Sequence, residues 1–194
     1  MVLKNLEKYD IILASASPRR HELMQQLGID FKVEVRPVKE DYPPTMKGTD
    51  IAIHLSASKA NAFERAFFTE KTMIITADTI VCLEGTVLGK PAGREDAINT
   101  LQQLSGKKHQ VITGVNIRTF NKEVNFSVST DVYFKSLQVD EILYYVDRYK
   151  PYDKAGAYGI QEWIGYIGIE KIDGSFYNVM GLPVLKLYEE LRKF

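Results

Sequence analysis

Apolar and polar positions recur with several different periods along this chain, and each change of period marks an element. Ile11 to Ala14 is a short apolar run of the kind a buried strand makes. Ser17-Pro18 then offers an N-cap residue and a proline at the first helical position. That predicts a helix to Leu27, with Gly28 as its stop. Phe31 to Val35 alternates and predicts a strand with one face in water. Residues 36–49 hold three prolines and a glycine and form the longest irregular stretch. A helix is expected from about Asp50 to Phe68. Met73 to Leu83, rich in Ile, Thr and Val, predicts a long strand. Glu84-Gly85 forms a hairpin turn with Thr86 to Leu88 returning. Arg94 to Leu104 predicts a helix stopped by Gly106. His109 to Thr119 and Glu123 to Phe134 predict two strands joined near Asn121, with Val124, Phe126 and Val128 on one face of the second. Val139 to Tyr149 is a helix, and Lys150 to Gln161 a loop. Trp163 to Ile172 and Ser175 to Met180 read as a hairpin around Asp173-Gly174. Pro183 to Phe194 is a closing helix with Val184, Leu187, Tyr188 and Leu191 on one stripe.

Strands and helices mix without strict alternation, and hairpins recur. The pattern predicts an α/β fold with a mixed, partly antiparallel sheet flanked by helices, not a doubly wound parallel sheet. No repeat or low-complexity tract divides the chain, so 1–194 reads as a single domain. Composition changes this picture little. Hydrophobic residues at 45% are enough to close a core, which excludes disorder as the dominant state. Lys plus Arg and Asp plus Glu both number 25, so the net charge is zero, and a general nucleic-acid binder is disfavoured. One cysteine, Cys82, cannot form an intrachain disulfide. Met1 to Asp10 lacks an apolar signal core, and no apolar run approaches the ~18 residues of a membrane span. The cytoplasm is the expected compartment. A glycine fingerprint for dinucleotides, a P-loop and a nucleophile elbow are all missing. His21, His54 and His109 show no metal-ligand spacing.

Four places break the rules that serve stability alone. In Ser15-Ala16-Ser17-Pro18-Arg19-Arg20 the two arginines fall in the first turn of a helix, the wrong end of its dipole for cations. They are either solvated surface residues or part of a phosphate site, where a bound anion reverses the sign and Arg forks match its oxygens. Lys59 lies inside the apolar stripe of Ile51, Ala52, Leu55, Ala62, Phe63 and Ala66. It either snorkels to an edge or faces an anion. Asp78 interrupts the apolar run Met73 to Leu83. Such a carboxylate needs a metal, a cation or a place at the sheet rim. The hairpin register sets Lys90 opposite Thr79, which makes Lys90 and Asp78 near neighbours on adjacent strands. Finally, Asp153 to Gln161 carries two glycines and two alanines that let backbone approach closely, and it ends on an amide able to donate and accept. The alternative there is a plain surface loop.

Taken together, these segments resemble the Maf family of nucleoside triphosphate pyrophosphatases. The motifs are SASPRR (Ser15 to Arg20), SASKA (Ser56 to Ala60), ADT (Ala77 to Thr79), LGKP (Leu88 to Pro91), LSGKKHQVITGV (Leu104 to Val115) and DKAGAYGIQ (Asp153 to Gln161). The resemblance covers nearly the whole chain, and the form DKAGAYGIQ is similar to the branch acting on dTTP and UTP. It implies a Maf/ITPase-like two-lobed architecture with a cleft. It implies Asp78 as catalytic base, and Ser15, Arg19, Arg20, Lys59 and Lys90 as the phosphate-contacting set. Arg19, Thr79 and Gln161 match positions tied to substrate choice, and Glu40 and Asp78 are the implied metal partners. One departure stands out: where the family commonly has a small residue after GIQ, this chain has Glu162-Trp163.

The implied reaction is hydrolysis of dTTP and UTP, with modified pyrimidine nucleotides as further candidates, to the monophosphate and pyrophosphate. That would cleanse the nucleotide pool. A divalent cation, Mg²⁺ or Mn²⁺, suits carboxylate and phosphate oxygens. The expected partner is the nucleoside triphosphate, with neither membrane nor nucleic acid. A homodimer is allowed but not required by anything in the sequence. Two rivals differ in class: a non-catalytic nucleotide-binding regulator of septum formation and cell division, and a nucleic-acid module using the basic residues near Arg19. Asp78 argues against the first and zero net charge against the second.

Overall fold

The computed structural model describes residues 3–194. Its strands are β1 (Asp10–Leu13), β2 (Lys32–Val33), β3 (Thr72–Leu83), β4 (Thr86–Leu88), β5 (Lys108–Thr119), β6 (Glu123–Phe134) and β7 (Ile169–Asp173). The helices are α1 (Pro18–Gln26), α2 (Thr49–Asn61), α3 (Arg94–Leu104), α4 (Val139–Tyr149), α5 (Trp163–Gly168), α6 (Phe176–Met180) and α7 (Val184–Leu191). The strands run β2-β1-β3-β5-β6-β7, with β4 paired to β3. β1 is parallel to both β2 and β3, while β4 on β3 and β7 on β6 are antiparallel. This is the mixed, partly antiparallel sheet that the recurring hairpins predict. No helix among the described residues is long and apolar enough to cross a membrane. The chain divides into two compact units: Met1–Asp78, Thr113–Val128 and Gly181–Phe194 form the first, Thr79–Ile112 and Ser129–Met180 the second.

In the first unit, Ile12, Ala14 and Ile74 of the β1 and β3 region pack with Phe63 and Phe68. That packing explains why α2 stops at Asn61 while the pattern predicts helix to Phe68. Residues five apart on a helix point about 140° away from each other. Burying both phenylalanines in one cluster therefore requires the chain to leave the helix, and Glu64 is extended. α2 lies directly on β5, and a Cβ at Gly114 would stand 2.1 Å from the Ala52 carbonyl oxygen. Only glycine allows that approach. The strand expected over Phe31 to Val35 shrinks to Lys32–Val33, both exposed, because β1 offers it only Ile12 and Leu13 as partners.

In the second unit, the β3–β4 hairpin has the predicted register, with Val81 opposite Leu88 and Leu83 opposite Thr86. Glu84 and Gly85 both take positive φ, +51° and +83°, as the tight turn of a right-twisted hairpin requires. α3 and α4 bury Leu101, Leu104, Ile142, Tyr145 and Val146 in one core with Val132, Phe134 and Ile164. The hairpin expected around Asp173-Gly174 is not formed. Trp163–Gly168 is helical, Ile169–Asp173 pairs instead with β6, and Phe176–Met180 is a helix. The residues favour strand locally, but packing overrides propensity. A Cβ at Gly165 would sit 1.8 Å from the Ile160 carbonyl oxygen, so the helix is seated through its glycine, with Ile164 fully buried beside it. On α6, buried Asn178 donates from Nδ2 to the Val111 carbonyl and to Thr130 Oγ1, both at 3.0 Å.

Candidate active site

The first unit gathers six of the residues singled out by sequence. β1 runs into α1 through Ser15-Ala16-Ser17. Ser17 takes the N-cap position with Pro18 behind it, but its side chain makes no capping bond. The segment is instead organised around buried Ser15. Its Oγ accepts from the Ser17 N–H and from Arg20 Nη1, each at 3.3 Å. Its carbonyl accepts from His21 Nε2 at 2.6 Å, which places the ring proton on that nitrogen. Sequence reasoning gave His21 no role, since a histidine that holds a backbone carbonyl leaves no spacing signal. Arg20 also donates from Nε to the Gly181 carbonyl at 2.8 Å. Burial pulls the Arg20 guanidinium below its usual pKa, and Arg19 adds to this. Asp78 and Glu40 pull the other way. Arg19, Asp78 and Glu40 are thus all within electrostatic reach of Arg20.

Asp78, only 8% exposed, ends the first unit's part of β3 and makes an ion pair with Lys59. Lys59 Nζ also meets Glu40 Oε1 at 2.9 Å. The lysine does not reach an edge; its ammonium is shared by two carboxylates brought in from β3 and from the proline-rich loop. Lys59 lies in the last turn of α2, the end of the dipole that favours a cation. A second rung fixes helix to strand, because Thr76 Oγ1 donates to the Ser56 carbonyl at 2.6 Å. Thr76 and Asp78 are two apart on a strand, and Ser56 and Lys59 three apart on a helix, so both rungs use the same faces. Asp78 thus has a partner, Lys59, that lies 19 residues away in the chain and that sequence spacing could not reveal.

Glu40 and Asp78 converge on a single cation, so their oxygens fit a hard divalent ion. No group of three or more His, Cys, Asp or Glu side chains suited to a metal occurs among the described residues. Two carboxylates, with water and phosphate oxygens completing the shell, match how Mg²⁺ is ordinarily held.

The second unit holds Thr79, Lys90 and Gln161. Thr79 is half-buried on β3, and Lys90 is exposed just after β4. The ladder ends at Val81–Leu88, and continuing its register sets Lys90 opposite Thr79. The Gly156 N–H donates to the Gly89 carbonyl at 3.2 Å, which joins the LGKP segment to the DKAGAYGIQ loop. Gly156 has φ +70°, and a Cβ there would crowd Val81 at 3.0 Å. Tyr158 of the loop bonds His109 Nε2 at 2.7 Å inside the core, and burial lowers the His109 pKa to about 4. Gln161 sits in a turn closed by the Glu162 N–H on the Gly159 carbonyl at 3.0 Å. Its Oε1 is buried and makes no hydrogen bond among the described residues.

Comparison with known proteins covers the full chain. It is 55% identical over 193 residues to a protein of Bacteroides thetaiotaomicron named dTTP/UTP pyrophosphatase, covering 99% of this chain and all of that one. A Parabacteroides distasonis protein of the same name is 55% identical over 194 residues, covering both chains completely. Among solved structures, the Staphylococcus aureus Ham1 protein superposes with a TM-score of 0.46 at 15% identity, over 64% of this chain and 71% of that one. The model of the Maf-like protein family matches residues 10–194, which include every motif described above, and the chain belongs to that family.

Proposed function

We propose that this protein hydrolyses dTTP and UTP to the nucleoside monophosphate and pyrophosphate. The observation that carries the chemistry is the convergence of Asp78 and Glu40 on Lys59. The substrate follows the relatives that share about half of its residues end to end. A triphosphate carries about four negative charges that repel an incoming water, so catalysis is mainly neutralisation and in-line positioning. In this reading Ser15, Arg19, Arg20, Lys59 and Lys90 bind phosphate oxygens. Asp78 accepts a proton from the water that attacks the α-phosphorus. The bond from that phosphorus to the bridging oxygen breaks, and pyrophosphate leaves with its electron pair. Glu40 and Asp78 would hold a divalent ion, Mg²⁺ or Mn²⁺, which neutralises phosphate charge when bound. Lys59 faces both of these carboxylates.

Uracil and thymine present two carbonyls and an N3–H. The Gln161 amide, with an unbonded buried oxygen, supplies the matching acceptor and donor, and Arg19 and Thr79 complete the choice of substrate. In this reading residues 1–194 are a single domain that acts in the cytoplasm on the nucleotide pool. A screen of the common NTPs and dNTPs with Mg²⁺ or Mn²⁺, identifying the released product, tests this. Pyrophosphate from UTP and dTTP, and far less from CTP or GTP, is the expected result. Orthophosphate as product, or equal cleavage of CTP and GTP, rejects it.

A further inference from the structure

The turn that carries Gln161 is held by an unusually closed set of bonds, all within the second unit. The Gly159 N–H donates to the Tyr145 hydroxyl oxygen at 3.0 Å. The Tyr145 hydroxyl donates to Glu162 Oε2. The Glu162 N–H returns to the Gly159 carbonyl at 3.0 Å. These three bonds form a ring around the four-residue turn Gly159-Ile160-Gln161-Glu162, with Ile160 and Gln161 at its corner. Ile160 is buried in the core, so the backbone orientation of the next residue is set as well. The other oxygen, Glu162 Oε1, pairs with Lys154 Nζ at 3.1 Å, and that lysine is only 8% exposed. Lys154 Nζ also meets Asp153 Oδ1 at 2.8 Å, so carboxylates from both ends of the loop 153–162 tie to one ammonium. Gly159 is needed for this arrangement: a Cβ there would stand 2.8 Å from Glu162 Cδ.

We propose that Glu162 is a positioning residue for substrate selection, fixing Gln161 through Tyr145 and Lys154. The proposal rests on the reading of Gln161 as the group that meets the pyrimidine edge. A carboxylate is required, because only an acceptor pair can take the tyrosine hydroxyl on one oxygen and the ammonium on the other. A directional hydrogen bond to a base edge discriminates only while its donor and acceptor are held in place. A loosened turn therefore loses selectivity before it loses turnover.

Selectivity, taken as the ratio of kcat/KM for UTP to that for CTP, is measured in the wild type, Gln161→Ala, Glu162→Gln, Tyr145→Phe and the double variant Gln161→Ala/Glu162→Gln. Backbone amide exchange at Gly159 and Gln161 is followed without nucleotide. Glu162→Gln and Tyr145→Phe should each speed exchange at Gly159 by about tenfold or more. They should also lower the UTP:CTP ratio roughly 3–10-fold, mainly through KM for UTP with kcat little changed. In the Gln161→Ala background the Glu162 substitution should have no further effect on the ratio. Faster exchange with unchanged selectivity overturns the proposal, as does a full additional loss in the double variant. If Gln161→Ala is as selective as the wild type, it is the base-reading assignment itself that fails. Tyr145→Phe keeps the buried ring and lacks only the hydroxyl, so it reports on the lock even if Glu162→Gln folds poorly.

Discussion

The two candidate regions solve opposite problems with opposite materials. Around Lys59 the first unit brings formal charges together, Asp78, Glu40, Arg19 and Arg20, on elements pinned by neutral rungs such as Thr76 to Ser56. Around Gln161 the second unit fixes backbone, using a ring of hydrogen bonds and a core histidine kept neutral by burial. The contrast follows the physics of what each would recognise. Charge attraction falls slowly with distance and tolerates angle, so a phosphate site can be assembled from long side chains on separate elements. A base edge is read through directional bonds, which require a fixed turn.

The charged region is broken most severely at Asp78. Asp78→Asn should lower kcat by roughly 10²–10⁴ while nucleotide binding persists. The variant should fold, because Lys59 keeps Glu40 as its partner. A well-folded variant with near wild-type kcat would remove Asp78 from the role of base.

Acid should break the neutral region through His109. Its pKa is about 4 in the folded protein and near 6.5 unfolded, so the unfolded chain takes the proton first. Stability from this group is complete above about pH 6.5 and declines as pH falls towards 4, by about 3 kcal/mol in total. Urea unfolding at pH 7 and pH 4.5 should show a larger loss in the wild type than in His109→Gln. Equal losses would mean that the Tyr158–His109 bond is not held by a neutral ring.

Gln161→Ala sharpens the comparison, since it should act on selectivity alone. The UTP:CTP ratio of kcat/KM should narrow by about 10–100-fold, the worth of one or two buried polar bonds left unpaired. Steady-state kinetics with both nucleotides measures it, and an unchanged ratio would move discrimination to Thr79 or to backbone groups.

The smallest effect separates the paired arginines. Position at a helix N-terminus alone argues that neither stabilises the free protein. The structure changes that expectation for Arg20, whose Nε holds the Gly181 carbonyl. Arg20→Ala should cost about 1 kcal/mol, or about 2–4 °C in Tm, and Arg19→Ala should weaken triphosphate binding. An unchanged Tm in Arg20→Ala would show that the Gly181 bond contributes nothing.

The amino-acid sequence by itself determined most elements and the residue types of the chemistry. Strong periodicity marked β3, β5, β6, α3 and α4 almost to the residue, and glycines with positive φ at 28, 85 and 106 ended elements where local chemistry said they should. The oddities at Arg19, Lys59, Asp78 and Gln161 were legible because each violates a local rule. Tertiary structure alone decided which of them meet. Lys59 and Asp78 are 19 residues apart and become partners where α2 settles on the sheet, a close approach that Gly114 permits. Tertiary contact also turned Trp163–Gly168 into a helix against its strand propensity, through a glycine pressed on a carbonyl. Glu162, seen in sequence only as a departure from a family habit, acquired its partners Tyr145 and Lys154 the same way. Periodicity and capping are properties of neighbours in the chain. Close approach and long-range pairing depend on how distant segments pack, and no spacing rule encodes them.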